Sequence, residues 1–376
     1  MDVYGWLGLF AAVALGACIG SFLNVCIHRW PRDMGVSRPK RSFCPACGGA
    51  IKLWHNIPVL SWLFLRGRCA MCGAPIAFRY VLVEALVALG FGALWLAFPW
   101  PEAVALALLF TLCVVTVFVD LEHYIIPDQV TLGGIPLGLA AAALAPGLLG
   151  RATWWEGMIA SAIGAVVGFA VMWAIVELGK KMFGRKEVAF DEAVPWSLRE
   201  GEESPDLILD GEVTPWGDLF ARPSDRLVLD TTLLEINGDK IETTQLAILW
   251  DRLEWQGKKG EDSGGMPLGD VKSIGGKTTR AVIPREAMGL GDVKFMAMAG
   301  AFSGAMGVAF TLFAACLLGS LFGLSAILLR RRQWSTLIPF GPWLVVGLWI
   351  WLLMGQEIAL WYLELAGLPI PDSIAR

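Results

Sequence analysis

Charge is what this sequence has least of. Asp, Glu, Lys and Arg make up 17% of its 376 residues, against about 25% in an ordinary soluble domain. Hydrophobic residues make up 56% and the mean hydropathy is +0.60. An ordinary soluble globular chain is thereby excluded, and several apolar runs approach or exceed the roughly 20 residues that cross a bilayer. The formal net charge of -4 says little about partners, because the charges are segregated along the chain. The N-terminus lacks a basic n-region. Its apolar stretch from Trp6 to Cys26 is long and reads as a retained first spanning helix, not a signal peptide. Eight cysteines in a chain this size do not make a secreted disulfide scaffold. Cys18, Cys26, Cys113 and Cys316 sit singly in apolar runs and are most simply read as small core residues. No Ser–His or Ser–Lys pair stands out at membrane depth, which argues against a serine-type intramembrane protease. Mid-span polar groups in repeated halves, expected of a transporter, are also missing.

What charge there is falls in two blocks. From Arg29 to Arg79 there are nine Arg and Lys against one acid, Asp33. The positive-inside rule makes this loop cytoplasmic and the N-terminus external. Anionic lipid headgroups are its natural partner. From Glu187 to Asp262 there are 19 Asp and Glu against seven Arg and Lys, so that stretch reads as soluble. Within it, Leu227 to Ile236, Asn237-Gly238 and Lys240 to Glu242 carry a strand and hairpin signal. Leu246 to Trp255 fits a helix or a strand. Residues 256–280, rich in Gly, Lys and Ser, read as a flexible tether. The fold expected is an all-α polytopic membrane protein of about eight spanning helices, with a four-cysteine zinc loop and a β-containing insert. Its divisions are 1–30 for the first helix, 31–79 for the zinc loop and 80–179 for helices two to five. Then come 180–287 for the acidic insert and linker, 288–361 for helices six to eight and 362–376 for a tail.

The loop holds Cys44-Pro45-Ala46-Cys47 and Cys69-Ala70-Met71-Cys72, each followed by glycine. This zinc-knuckle arrangement presents four thiolates, a closed and hence structural site. A redox dithiol, an iron–sulfur centre and a nucleic-acid-binding ribbon are weaker alternatives. The last is weak because Trp54, Ile57, Trp62, Leu63 and Phe64 suit packing on a membrane or on helix ends, so no nucleic acid is expected. Asn24 and His28 share one helical face near the membrane edge. They suit interfacial anchoring or a polar site at that edge. Glu84 begins the second span at the same level.

Two acids carry the chemistry. Asp120 ends the third span, in Val119-Asp120-Leu121-Glu122-His123-Tyr124-Ile125-Ile126-Pro127-Asp128. Asp292 opens the sixth, in Met288-Gly289-Leu290-Gly291-Asp292-Val293-Lys294. With eight spans both fall at the cytoplasmic face. Acids near hydrocarbon are costly and usually functional. If they meet, one holds a proton and the other is a carboxylate, a general acid and base for peptide hydrolysis with no cofactor. Gly289 and Gly291 would let a substrate backbone approach. Lys294 suits anchoring better than catalysis. Helix capping, the bland alternative, fits Asp292 tolerably but not Asp120, which lies at the helix end unfavourable to an anion. Asp128, after Ile126-Pro127, is expected to be the N-cap of the fourth span. The pentapeptide Leu290 to Lys294 also occurs at Leu268 to Lys272, where Asp270 has no spanning segment after it, so catalysis is assigned to Asp292.

These residues resemble the type IV prepilin peptidase family of membrane aspartic endopeptidases. The resemblance runs through Gly20 to Val25 with His28-Arg29, the two CxxC pairs and Asn56 to Trp62. It continues through Arg66 to Cys69, Gly73 to Ile76 and Arg79-Tyr80 with Glu84. Asp120 with Ile126 to Asp128, Gly289 to Lys294, and Ile338 to Pro342 complete it. It implies that Asp120 and Asp292 are the catalytic pair. It also implies cleavage of the basic leader of prepilins and type II secretion pseudopilins after glycine, at the cytoplasmic face of a bacterial inner membrane. Many members then methylate the new N-terminus from S-adenosylmethionine, and the four-cysteine loop is typical of those. No glycine-rich methyltransferase signature is visible, so no residue is assigned to the methyl donor. The methylation site is placed only within Asn24 to Glu84. The insert departs from the compact family pattern.

Overall fold

The computed structural model describes residues 3–32, 34–37, 42–44, 46–183, 185–200, 205–220, 225–257, 263–284, 289–329 and 339–367. Asp33, Pro45, Met288 and Ile338, used above, lie outside them. The chain divides into two units, Met1–Trp173 with Leu290–Arg376, and Ala174–Gly289.

The first unit is helical. Its elements are α1 (Val3–Arg29), the short α2 (Leu60–Phe64), α3 (Phe78–Ala97), α4 (Trp100–His123) and α5 (Asp128–Leu144). The first part of α6 (Trp154–Phe183) also belongs to it. The second unit contains α7 (Trp216–Leu219). The first resumes with α8 (Leu290–Leu328) and α9 (Gly341–Leu365). Five of these helices, α1, α3, α4, α6 and α8, are long and apolar enough to cross a membrane. The two bent pieces of α9 make a sixth if taken as one span, while α5 has only 17 residues. The chain is therefore a multi-pass membrane protein with a soluble β region.

Proline sets the helix starts around Trp100, since a ring at the first turn removes only an amide that has no helical partner. Pro99 caps α4 and Pro101 follows in its first turn. At the other end Tyr124 turns left-handed (φ 57°) and its N–H closes on the Asp120 carbonyl at 2.9 Å. Ile125, Ile126 and Pro127 then carry the chain directly into α5.

Lipid supplies no hydrophobic drive between helices, so membrane helices associate through small residues that let backbones touch. The first unit does this repeatedly. In α1, a Cβ on Gly16 would meet Val87 O at 2.7 Å and one on Gly20 would meet Glu84 Cα at 2.7 Å. The antiparallel pairing continues to Gly8 beside Trp95. Between α6 and α8, a Cβ on Gly164 would meet Gly300 O at 2.1 Å, and one on Gly168 would meet Met296 O at 2.1 Å. Ser161 donates to Ala301 O at 2.6 Å in the same seam.

Helix α8 is not one rod. Gly304 has φ 70° and ψ 179°. A Cβ on Gly300 would lie 2.9 Å from Val308 Cγ2, whereas eight residues of straight helix rise about 12 Å. The chain turns back at Gly304, and only glycine takes that backbone conformation without strain. Before the turn, α8 runs alongside α5, with Gly134 against Met298 and Gly138 against Ala301. After it, α8 lies antiparallel to α9, with Gly307 beside Trp351, Gly347 beside Thr311 and Gly319 beside Trp343.

The second unit is a nine-stranded antiparallel sheet in the order β3-β2-β1-β9-β4-β6-β7-β8, with β5 also paired to β4. The strands are β1 (Arg185–Glu200), β2 (Pro205–Leu209), β3 (Glu212–Pro215), β4 (Leu227–Ile236), β5 (Asp239–Ile241), β6 (Thr243–Ile248), β7 (Arg252–Gly257), β8 (Gly264–Pro267) and β9 (Ile274–Pro284). Trp196, Leu207, Trp216, Phe220, Leu229 and Leu246 are among its core residues. The β4–β5 hairpin falls where expected, with Asn237 (φ 53°) and Gly238 (φ 95°) in the turn. Leu246 to Trp255 resolves into the paired strands β6 and β7.

The expectation of a flexible tether over 256–280 is corrected. That stretch holds β8 and most of β9, which pairs with both β1 and β4 at the middle of the sheet. Its glycines read as linker composition but serve close packing. A Cβ on Gly276 would meet Leu233 O at 2.1 Å, and one on Gly275 would meet Trp196 O at 3.0 Å.

The glycine seam gives a direct test. Gly164→Ala puts a methyl into backbone that cannot step aside and should destabilise by about 1–3 kcal/mol. Gly133→Ala meets open space and should be neutral or slightly stabilising. Thermal unfolding in detergent measures both.

Candidate active site and cysteine centre

The site is built at the junction of α4, α5, α8 and α9. Asp120, in the last turn of α4, is only 5% exposed. Its Oδ2 accepts the N–H of Gly341 at 2.8 Å. Gly341 is the first residue of α9, with Pro342 next to it. A helix start has amides with no partner inside the helix and carries partial positive charge. The contact therefore satisfies the amide and fixes the carboxylate. A Cβ on Gly341 would lie 2.8 Å from that same oxygen, so the position has no room for a side chain. The run Phe340-Gly341-Pro342 was visible in the sequence, but its partner 221 residues away was not.

Asp292 lies in the first turn of α8 and is half-buried. Gly291 packs on the α4–α5 connection, where a Cβ would meet Ile126 Cβ at 3.1 Å. Gly289 is exposed just ahead of the helix. Lys294 does not face a reacting centre but ion-pairs with Asp128, at 2.6 and 2.8 Å to the two carboxylate oxygens. The N-cap expectation for Asp128 is corrected by this contact. Pro127 takes the cap position, Asp128 is the first helical residue, and no side-chain cap bond forms. The carboxylate instead ties the start of α5 to the start of α8.

The other polar residues gather elsewhere. Asn24, His28 and Glu84 line a cavity of about 670 Å³ bounded by α1, α3 and the cysteine loop. Neither Asp120 nor Asp292 is among its lining residues. Asp270, in the second copy of the pentapeptide, is exposed on a short 3₁₀ turn of the β unit. Asn237 holds that turn, taking the amides of Lys272 (2.7 Å) and Ser273 (3.1 Å) and donating to Asp270 O (3.1 Å).

The four cysteines sit in two matched knuckles. In one, Cys44 N–H bonds Gly49 O and Gly48 N–H bonds Cys44 O. In the other, Cys69 N–H bonds Ala74 O and Gly73 N–H bonds Cys69 O. Gly48 (φ 69°) and Gly73 (φ 71°) provide the left-handed step that brings the chain back under the thiols. All four sulfurs lie within 4.8 Å of one another, with Cys44 and Cys72 at 3.9 Å. A tetrahedral zinc with Zn–S bonds of about 2.3 Å places its sulfurs roughly 3.8 Å apart, so the donor set and spacing fit that ion. Amides of Cys72 and Met71 pull the Cys69 thiol down to about 6, while burial and the neighbouring thiols hold that of Cys72 up at about 11, so without a metal the four sulfurs share their protons unevenly.

A multi-pass bundle with a buried acid in the last turn of α4, a second acid in the first turn of α8 and a four-thiol loop defines a class of membrane protein with an acidic site at helix ends. The comparisons specify it. Residues 14–98 match the Bacterial Peptidase A24 N-terminal domain, and residues 107–187 and 273–324 match the Type IV leader peptidase family. The chain is 30% identical over 387 residues to the prepilin leader peptidase/N-methyltransferase of Aeromonas hydrophila, covering 95% of this chain and 94% of that one. It is 26% identical to the Pseudomonas aeruginosa protein of the same name, over 96% and 94% of the two chains. A 42% match to the Myxococcus xanthus protein of that name spans 48% of this chain and 53% of that one. No solved structure matches. The chain belongs to the Type IV leader peptidase family and is an enzyme. The stretch between the two matched segments, 188–272, coincides with most of the β unit.

The knuckle geometry is tested by metal analysis of the purified protein. One zinc per chain is expected, and Cys44→Ser together with Cys72→Ser should abolish it and lower thermal stability, since metal binding free energy is folding free energy.

Proposed function

We propose that this enzyme removes the basic leader of prepilins or type II secretion pseudopilins with the carboxyl pair Asp120 and Asp292, and then methylates the new N-terminus. The single observation that carries the reading is that the start of α8, which holds Asp292, packs on the α4–α5 connection that follows Asp120, with Gly291 against Ile126 and Lys294 paired to Asp128, although the two acids lie 172 positions apart in the chain.

The pair carries one proton between its two members. The ionised carboxylate takes a proton from water as the water oxygen attacks the scissile carbonyl carbon. The protonated carboxyl gives its proton to the amide nitrogen, and the C–N bond breaks. The products are a leader ending in a carboxylate and a pilin with a free α-amine. Gly341 N–H holds Asp120 in its rotamer, and the Lys294–Asp128 pair joins α5 to α8 beside Asp292. Gly291 lets the start of α8 pack against Ile126, and Gly289 leaves exposed backbone just ahead of Asp292.

For methylation the chain would present the new α-amine, in its neutral form, to a bound methyl donor. S-adenosylmethionine supplies the methyl group. The relatives' shared name supports this second activity. Zinc on Cys44, Cys47, Cys69 and Cys72 would pin the two knuckles of the loop and take no part in either step.

The spanning topology that goes with this has eight passes, counting α5, the two arms of α8 and α9. The basic loop from Arg29 to Arg79 then faces the cytoplasm and anionic headgroups of a bacterial inner membrane. The pair lies on that same side, where a basic leader remains after its pilin helix inserts.

Two sets of variants test the reading with a purified prepilin, leader removal and one-methylene mass gain being read by mass spectrometry. Asp120→Asn and Asp292→Asn should each lower cleavage by roughly 10²- to 10⁴-fold, while Asp270→Asn leaves it unchanged. Retained cleavage in Asp292→Asn with loss in Asp270→Asn would reverse the assignment. Gly341→Ala, which crowds Asp120, should slow cleavage by roughly 10²-fold through misplacement alone. A normal rate in that variant would show that the amide contact is dispensable.

A further inference from the structure

The stretch 57–64, between the two knuckles, turns its largest apolar side chains outward. Ile57 is 46% exposed, Leu60 51%, Leu63 57% and Phe64 82%. They lie on α2 and on the turn that leads into it. A contiguous apolar patch of this kind marks an interaction surface.

Two contacts with α3 set the depth of the patch. Val59 N–H donates to Glu84 Oε2 at 2.7 Å. The rings of Trp62 and Phe78 meet edge to face, with 5.9 Å between centroids. Arg79 in the first turn of α3 and Arg29 in the last turn of α1 mark the membrane edge. The two helix ends lie side by side, since Asn24 Nδ2 donates to Tyr80 O at 3.0 Å. Glu84 lies five residues beyond Arg79, roughly 7 Å further along the span. The chain therefore dips from the edge to the level of Glu84 at Val59, then returns along α2 to the level of Phe78.

The tip is built for a place without water. Pro58 has no N–H to satisfy. The amides of Leu60, Ser61 and Leu63 bond the carbonyls of Pro58, Ile57 and Val59. Val59 has φ 61°, which a β-branched residue takes only under constraint, and Glu84 receives its amide. Backbone of irregular shape survives at membrane depth only where protein satisfies its polar groups. This gives a reason for an acid inside the span α3, where an acid is costly.

The surroundings match lipid as well. Phe78, Leu82, Leu86 and Leu89 form an exposed stripe on α3, and Phe78 joins that stripe to α2 through Trp62. Lys52, Arg66 and Arg68 are exposed on either side of the patch, and no acid occurs between Asp33 and Glu84. Basic groups around an apolar insertion suit anionic headgroups.

We infer that residues 57–64 are a re-entrant wedge seated among the acyl chains of the leaflet on the loop side of the membrane, with Glu84 holding its tip. The wedge also carries the second knuckle. Gly67 N–H bonds Trp62 O at 2.9 Å, and Ile76 N–H bonds Gly67 O at 2.7 Å. Lipid thus holds the four-cysteine loop against the membrane.

The full-length protein is reconstituted in vesicles of phosphatidylcholine and phosphatidylglycerol that contain a photoactivatable acyl-chain probe, and labelled peptides are mapped after irradiation. Ile57, Leu60, Leu63 and Phe64 should take the label as Leu82 and Leu86 of α3 do. Glu84→Leu leaves the Val59 amide without an acceptor and should lower label at Ile57 and Leu60 about tenfold, the worth of one unsatisfied buried amide. Label at Leu82 and Leu86 reports that the variant is still folded and inserted. Glu84→Gln keeps an acceptor oxygen and should keep the label. Label on α3 with none between 57 and 64 overturns the wedge, and unchanged label in Glu84→Leu overturns the part given to Glu84. Shielding of 57–64 from a water-soluble reagent by added prepilin, but not by the bilayer, would make the patch a protein-docking face and overturn the wedge likewise.

Discussion

The contact on which the membrane unit depends is backbone against backbone at glycine. Gly164 and Gly168 of α6 meet Met296 and Gly300 of α8 with no side chain between them. Gly16 and Gly20 of α1 do the same against α3. In lipid, where apolar side chains gain little by leaving their surroundings, such close approach is the main source of association. It also sets heights. The α6–α8 seam holds the arm of α8 that begins with Asp292, and the α1–α3 seam holds Glu84 over Gly20. Each polar group then sits at a defined level along a helix that is otherwise apolar.

The reversal at Gly304 extends the same logic. It lets one apolar stretch of 39 residues serve as two arms, one beside α5 and one beside α9. The first arm brings Asp292 to the end of the bundle that holds Asp120. The second pairs with α9, whose opening amide at Gly341 holds Asp120. Both acids are thus positioned by α8 and its neighbours, which is how residues so far apart in sequence come to share one site. The cavity beside α1 and α3 draws on a different set of contacts, and neither Asp120 nor Asp292 lines it.

Much of this was legible because some signals are local. A CxxC followed by glycine specifies a knuckle, and two of them specify a four-thiol centre. Asn237-Gly238 between apolar alternations specifies a hairpin. Acids at the ends of apolar runs stand out against a chain so poor in charge. What stayed hidden depended on distant partners. Asp128 looked like a helix cap because caps are set by neighbours, but Lys294, 166 residues on, takes its carboxylate. The amide of Gly341 gave no sign of its role until α9 met α4. The stretch 256–280 misled because glycine reads as flexibility in sequence, whereas in β9 it makes room for Leu233 and Trp196. The pocket around Asn24 and Glu84 was visible as scattered polar residues at a membrane edge. Only the folded loop shows that they line one space.

The central claim is that Asp120 and Asp292 act together on one peptide bond. Its most direct test is a cryo-electron microscopy structure of the enzyme bound to a prepilin whose scissile amide is replaced by a reduced, uncleavable isostere. The account predicts that the replaced bond lies between the two carboxylates, in contact with both. A scissile position held by only one of them, or seated in the cavity beside Glu84, would contradict it.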